Sequence, residues 1–145
     1  EADDAALAGK KGAKDELEKT ERRLVRKELP PLQKSYTDEF EGPVRTRTFK
    51  AGEKVHRSPQ AGEIPENPGS WFGTRATSTK AGTESQYNVK KWTNPLETQR
   101  TYEFTQDTTV YYGKVKDGTG YQILIPKDVS PADVLRPTGT DRLLK

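Results

Sequence analysis

The 145-residue chain carries 25 basic and 22 acidic side chains, a net charge of +3, and only 30% hydrophobic residues against 32% charged. This composition fits one domain with an appendage, and a mean hydropathy of -1.02 leaves only part of the chain to build a packed core. Cysteine is absent and His56 is the single histidine, which excludes disulfides, thiolate metal sites, a cysteine nucleophile and a two-histidine acid/base pair, and argues against structural zinc.

A pI of about 9.0 suits an anionic ligand but is too mild to argue for nucleic acid by itself. No basic run is interleaved with aromatics. No apolar stretch approaches the ~20 residues that would span a bilayer, and no repeat is visible. With no methionine and Glu1 at its start, the chain reads as a piece of a longer protein.

In chain order, residues 1–29 are rich in Ala, Glu, Lys and Arg, and Lys14 to Leu29 is expected to be helical, stopped by Pro30 and Pro31. Its apolar stripe is narrow (Leu17, Leu24, Val25), so a surface helix or connector is expected, with a partner-binding helix as the other possibility. Residues 30–43 read as a linker with Tyr36 and Phe40 as anchors. The domain proper is then expected over 44–145, with 1–43 as helical extension and linker. VRTRTFKAGEKVHRSP suggests two strands around a hairpin-like turn at Lys50–Glu53, and 59–70 is a Pro/Gly loop opening onto Trp71 and Phe72. A short helix is expected near Glu84–Lys91. TYEFTQDTTVYYGKV alternates as strand, turn, strand, with Tyr102 and Phe104 on one face, and Val110 and Tyr112 on one face of the next. After Asp117-Gly118-Thr119-Gly120 comes the strand YQILIP, and Ser130-Pro131 marks a helix start or tight turn. The class expected is α+β, with a split or antiparallel sheet and an N-terminal helical extension.

None of the common nucleophilic, phosphate-cradling or metal-ligating motifs is present. Three weaker features remain. KVHRSP, 54–59, ends a strand on Arg57 between His56 and Ser58, where a guanidinium can fork a phosphate or carboxylate. GSWFGT, 69–74, sets Trp71 and Phe72 side by side, so both cannot point into one core. TSTK, 77–80, is a Ser/Thr cluster containing Ser78, a pattern that usually satisfies local backbone groups.

In their order, Val55-His56-Arg57, then Ala76-Thr77-Ser78-Thr79, then Tyr121-Gln122-Ile123-Leu124-Ile125-Pro126, these stretches resemble the ADP-ribosyltransferase-like fold. They resemble more closely the NAD glycohydrolase toxins of the tuberculosis necrotizing toxin type, through Gly52 to Arg57 and Gly118 to Pro126. The likeness covers roughly residues 48–130. It departs from the family in lacking a mid-chain histidine, a tyrosine shortly after the arginine, and the glutamate that transferases carry where Gln122 stands. The resemblance implies NAD as substrate, no metal, Arg57 and Gln122 as catalytic residues, and His56, Ser58, Trp71, Phe72, Ser78 and Tyr121 as substrate-binding residues. Trp71, Phe72 or Tyr87 would supply ring stacking. It further implies the C-terminal toxin domain of a secreted bacterial protein, active in the cytosol of a target cell, with a cognate immunity protein and no membrane partner.

Two alternatives belong to the same reading: ADP-ribosyl transfer to a protein or nucleic acid, and a RelE/barnase-like ribonuclease using Lys90, Lys91 and Arg100 against RNA phosphate. A third is a binding module that docks a partner through Trp71 and Phe72.

Overall fold

The computed structural model describes residues 24–89 and 94–145. The elements are α1 (Lys34–Thr37), β1 (Phe40–Phe49), β2 (Lys54–Arg57), β3 (Trp71–Gly73), α2 (Lys80–Tyr87), β4 (Thr98–Phe104), β5 (Thr108–Val115), β6 (Tyr121–Leu124), α3 (Pro131–Val134) and β7 (Leu135–Leu143). The strands form one antiparallel seven-stranded sheet in the order β1-β5-β6-β3-β2-β4-β7. It is an α+β fold in which the sheet dominates.

The sheet is split. β1, β5, β6 and β3 form one lobe, β2, β4 and β7 the other, and a single registered pair, His56 with Gly73, joins them. The hairpin-like turn at Lys50–Glu53 and the turn after Phe104 are instead crossings between lobes. β1 pairs with β5 and β2 with β4, so the chain passes from lobe to lobe over residues 50–53 and returns over 105–107. The two crossings are tied together. Gly52 N donates to Phe104 O at 2.8 Å and Phe104 N to Glu53 O at 2.9 Å, while Ala51 N donates to Asp107 Oδ1 at 2.9 Å. Gly52 sits at φ +92°, where a side chain would be strained.

Strand alternation sorts the side chains. One face carries the main core, in which Phe49, Val55, Phe72, Tyr102, Phe104, Val110 and Ile123 are all buried. Ile123, 0% exposed, contributes about 2–3 kcal/mol of burial. The opposite face carries a smaller cluster of Phe40, Tyr111 and Leu124, flanked by Leu29, Leu32, Val44 and Trp71.

The expected helix over 14–29 differs in its last turn. Its part before Leu24 lies outside the described residues, and Val25 to Leu29 is not helical. Leu24 joins the main core, Arg26 N donates to Thr109 Oγ1 at 3.0 Å, and the Arg26 guanidinium forks Asp128 at 2.8 and 3.0 Å. Tyr111 OH donates to Pro30 O. The tertiary partners hold this segment flat against the sheet, which outweighs its helical composition. The boundary expected between 43 and 44 falls inside β1. The helix expected near Glu84–Lys91 forms four residues earlier, as α2 (Lys80–Tyr87). Thr79 caps it by accepting from Gly82 N at 2.9 Å, and Asn88, at φ 52°, ends it.

Candidate functional site

On the face opposite the main core, one register row crosses the sheet: Gly113, Gln122, Gly73, His56 and Thr101. A cleft of about 460 Å³ opens over the Gln122, Gly73 and His56 part of this row, while Phe40 covers Gly113. Its walls include Tyr36, Glu39, His56, Arg57, Ser58, Gln60, Trp71, Tyr87, Asn88, Asn94, Gln99 and Gln122.

Gln122 and Arg57 line the same cleft. The Gln122 amide donates to Glu39 O at 2.8 Å, which fixes the side chain and leaves its carbonyl oxygen to accept. Arg57 is held on three sides. Its Nε donates to both Glu63 oxygens at 3.1 and 3.0 Å, one terminal nitrogen to Glu63 Oε1 at 2.7 Å, and the other to Trp71 O at 3.1 Å. The strand-end arginine is therefore an ion-paired group, only 16% exposed, and not a solvated charge.

His56 Nδ1 shares a 3.0 Å hydrogen bond with Thr101 Oγ1. Burial pushes its imidazole pKa below the ordinary value, and the charges of Arg142 and Lys54 lower it further, so the ring is neutral at pH 7. Ser58 lines the cleft with its hydroxyl oxygen buried and without a hydrogen-bond partner among the described residues, while its carbonyl accepts from Asn94 Nδ2 at 2.9 Å.

The adjacent aromatics separate as alternation requires. Phe72 is 2% exposed in the main core, edge-on to Tyr102, and reaches the cleft only from below. Trp71 lies on the cleft face against Phe40 and Tyr36, with ring centroids 5.5 and 6.3 Å away. Tyr121 points to the other face, where it stacks on Tyr112 at 5.5 Å, and is not part of the cleft wall. Ser78 is exposed and stands apart from the cleft, its carbonyl accepting from Lys145 N. In its cluster the buried member is Thr77, bonded to Gln99 at 2.8 Å and to Thr83 at 2.5 Å beneath the cleft.

Tyr87 is the main residue that sequence reasoning named without placing. It ends α2 with its ring over Gly73, accepts from Arg75 N at 2.9 Å and donates to Arg75 O at 2.7 Å. Burial raises its pKa, partly offset by the Arg75 backbone. Glu63, Asn94 and Gln99 carried no signal in the sequence, being single polar residues in a loop, a turn and an alternating strand. Among the described residues no three His, Asp or Glu side chains converge to hold a metal, and no helix is long and apolar enough to cross a membrane.

No protein-family model matches the chain, and no curated protein matches it. Solved structures do. The chain is similar to Tne2, solved in complex with Tni2, at TM-score 0.57 and 16% identity over 70% of this chain and 92% of that one. It is similar to Tse6, solved in complex with Tsi6, at 0.53 and 16% over 79% and 87%. It is similar to Rhs1-CT, solved in complex with its cognate immunity protein RhsI1, at 0.53 and 12% over 79% and 98%. At these identities the likeness is one of fold. Each of the three similar chains was solved bound to a second protein, and for one of them that protein is an immunity protein.

Proposed function

We propose that this chain is the toxin domain of a secreted bacterial protein, that it hydrolyses the nicotinamide–ribose bond of NAD, and that a cognate immunity protein is its partner. The observation that carries the reading is the meeting of Gln122 and Arg57 in one aromatic-walled cleft. The likeness of fold to Rhs1-CT, solved with its cognate immunity protein, supports the immunity partner.

The chemistry asks for little that the cleft lacks. As the C–N bond breaks, its electron pair leaves on nicotinamide, which departs neutral and needs no strong general acid. Positive charge develops on the ribose, as in other glycoside cleavages, and water then adds to the anomeric carbon and releases a proton to solvent. Gln122, anchored through its amide, accepts from a ribose hydroxyl and fixes the sugar. Trp71 and Tyr87 offer ring faces to the pyridinium. Arg57 is assigned to the diphosphate, which a guanidinium can fork. A neutral amide in place of a carboxylate gives the cation less electrostatic help and activates no protein acceptor, which favours water. Transfer to a protein or nucleic acid would follow the same cleavage with a different acceptor.

The ribonuclease reading loses one of its cations. Arg100 is 9% exposed and paired with Asp141 at 2.8 and 2.9 Å, and Lys90 and Lys91 lie outside the described residues. A docking surface built on Trp71 and Phe72 loses Phe72 to the core.

Nicotinamide release from NAD is the direct assay. Gln122→Ala is expected to lower turnover about 100-fold or more with an unfolding midpoint near that of the parent protein. Folded protein that releases no nicotinamide, with or without candidate acceptors, ends the proposal.

A further inference from the structure

Arg57 is the one guanidinium or ammonium among the described residues lining the cleft, and a carboxylate of the same chain already holds it. Glu63 meets Nε and a terminal nitrogen with both oxygens, at 2.7 to 3.1 Å. This two-point fork is the geometry that a phosphate group would adopt on the same guanidinium. Glu63 is 10% exposed, and a Cβ on Gly69 would lie 2.6 Å from the Arg57 fork, so chain closes that side as well. A guanidinium neutralised in this way offers an anionic ligand no net charge.

Glu63 arrives on loop 58–70, where its own N–H donates to Gln60 O at 3.0 Å within a turn. Ile64 beside it is 56% exposed, and Gly62 turns at φ +82°. The loop's ends are fastened by Asn94 Nδ2 to Ser58 O at 2.9 Å and Ile125 N to Ser70 O at 2.9 Å, and Tyr102 OH donates to Pro65 O at 3.2 Å two residues beyond Glu63.

We propose that Glu63 is the resident occupant of an anion seat on Arg57. A ligand carrying a diphosphate takes that seat by displacing it, so loop 58–70 is released as the ligand binds. The inference rests on the reading that a dinucleotide uses this cleft. It makes Glu63 a gate residue that weakens ground-state binding.

The test is titration of wild type and Glu63→Gln with inorganic pyrophosphate and with ADP-ribose, beside the KM and kcat for NAD. Glu63→Gln removes the charge with little change of shape. It is expected to bind pyrophosphate about tenfold more tightly, and to lower KM with kcat nearly unchanged. In wild type, saturating pyrophosphate is expected to speed hydrogen exchange at the amides of Glu63 and Asn67, whose turn bonds to Gln60 and Ile64 would open. Equal or weaker pyrophosphate binding by Glu63→Gln, or slower loop exchange with ligand, overturns the gate. If Glu63→Gln does not fold, wild-type exchange decides. NAD cleavage without the affinity gain removes the gate alone. An affinity gain without NAD cleavage removes the NAD reading alone.

Discussion

Gly73→Ala is a sharp test of how the cleft is built. The added Cβ would lie 2.6 Å from the Tyr87 hydroxyl oxygen and closer still to its ring carbons. The ring must withdraw by roughly 1 Å to reach ordinary carbon contact. It cannot swing freely, because its hydroxyl bonds both Arg75 N and Arg75 O. The strain therefore falls either on those hydrogen bonds or on β3, and overpacking of this kind costs about 1–3 kcal/mol. Tyr87→Ala alone is expected to cost about 2 kcal/mol through lost burial of a half-buried ring. Made together, the changes should cost at least ~1 kcal/mol less than their sum, since the new methyl then occupies the space the ring vacated. Urea unfolding of the four proteins measures this directly. Nicotinamide release would fall in Gly73→Ala as well, because β3 carries the residue between His56 and Gln122. A Gly73→Ala protein within ~0.5 kcal/mol of the parent, or costs that simply add, would refute the packing argument.

Stability should depend on pH through His56. Its folded-state pKa lies below the ordinary 6.5, first through burial, so the unfolded chain binds the proton more readily. The contribution is complete above pH 6.5 and is lost as pH falls from there toward the folded value; His56→Gln should flatten that limb in denaturation across pH 5 to 8, and an unchanged slope would dismiss the assignment. Asp141→Asn should cost about 3 kcal/mol by stranding the Arg100 guanidinium, one nitrogen of which is already buried without a hydrogen-bond partner among the described residues. Pairing it with Arg100→Met should restore most of the loss in the same unfolding assay. A single variant as stable as the parent would show the pair to be dispensable.

Some of this architecture was legible before any fold was known. The Gly-rich turn and the run Ile123 to Ile125 mark a buried strand with Gln122 at its mouth, and β6 is that strand. The alternation of Tyr102 with Phe104 and of Val110 with Tyr112 gave the right faces of β4 and β5. What misled was the assumption that a short turn joins neighbours. Lys50–Glu53 and Thr105–Asp107 carry ordinary turn chemistry, but each connects strands in different lobes. Turn residues specify a local reversal, and pairing is chosen by where the apolar faces meet. The site was half legible for a similar reason. The sequence put His56 and Gln122 on strands and the resemblance named them as site residues, but nothing local links Arg57 to Glu63, or Gly73 to Tyr87, since those contacts bridge a loop and a helix end.

From residue types and spacing alone, the chain is a small, lean α+β protein, free of cysteine chemistry and histidine pairs, with an amide at the mouth of its best-defined strand. Such properties follow from side-chain chemistry and from a two-residue period that any strand must obey. Tertiary structure decided the rest. It split the sheet at His56 and Gly73, held residues 24–30 against it, and gave Arg57 a carboxylate. It also brought Gln122 to the same cleft as Arg57. The physical reason is that hydrophobic burial is shared among distant segments, so pairing and charge neutralisation are settled only when all of them pack at once.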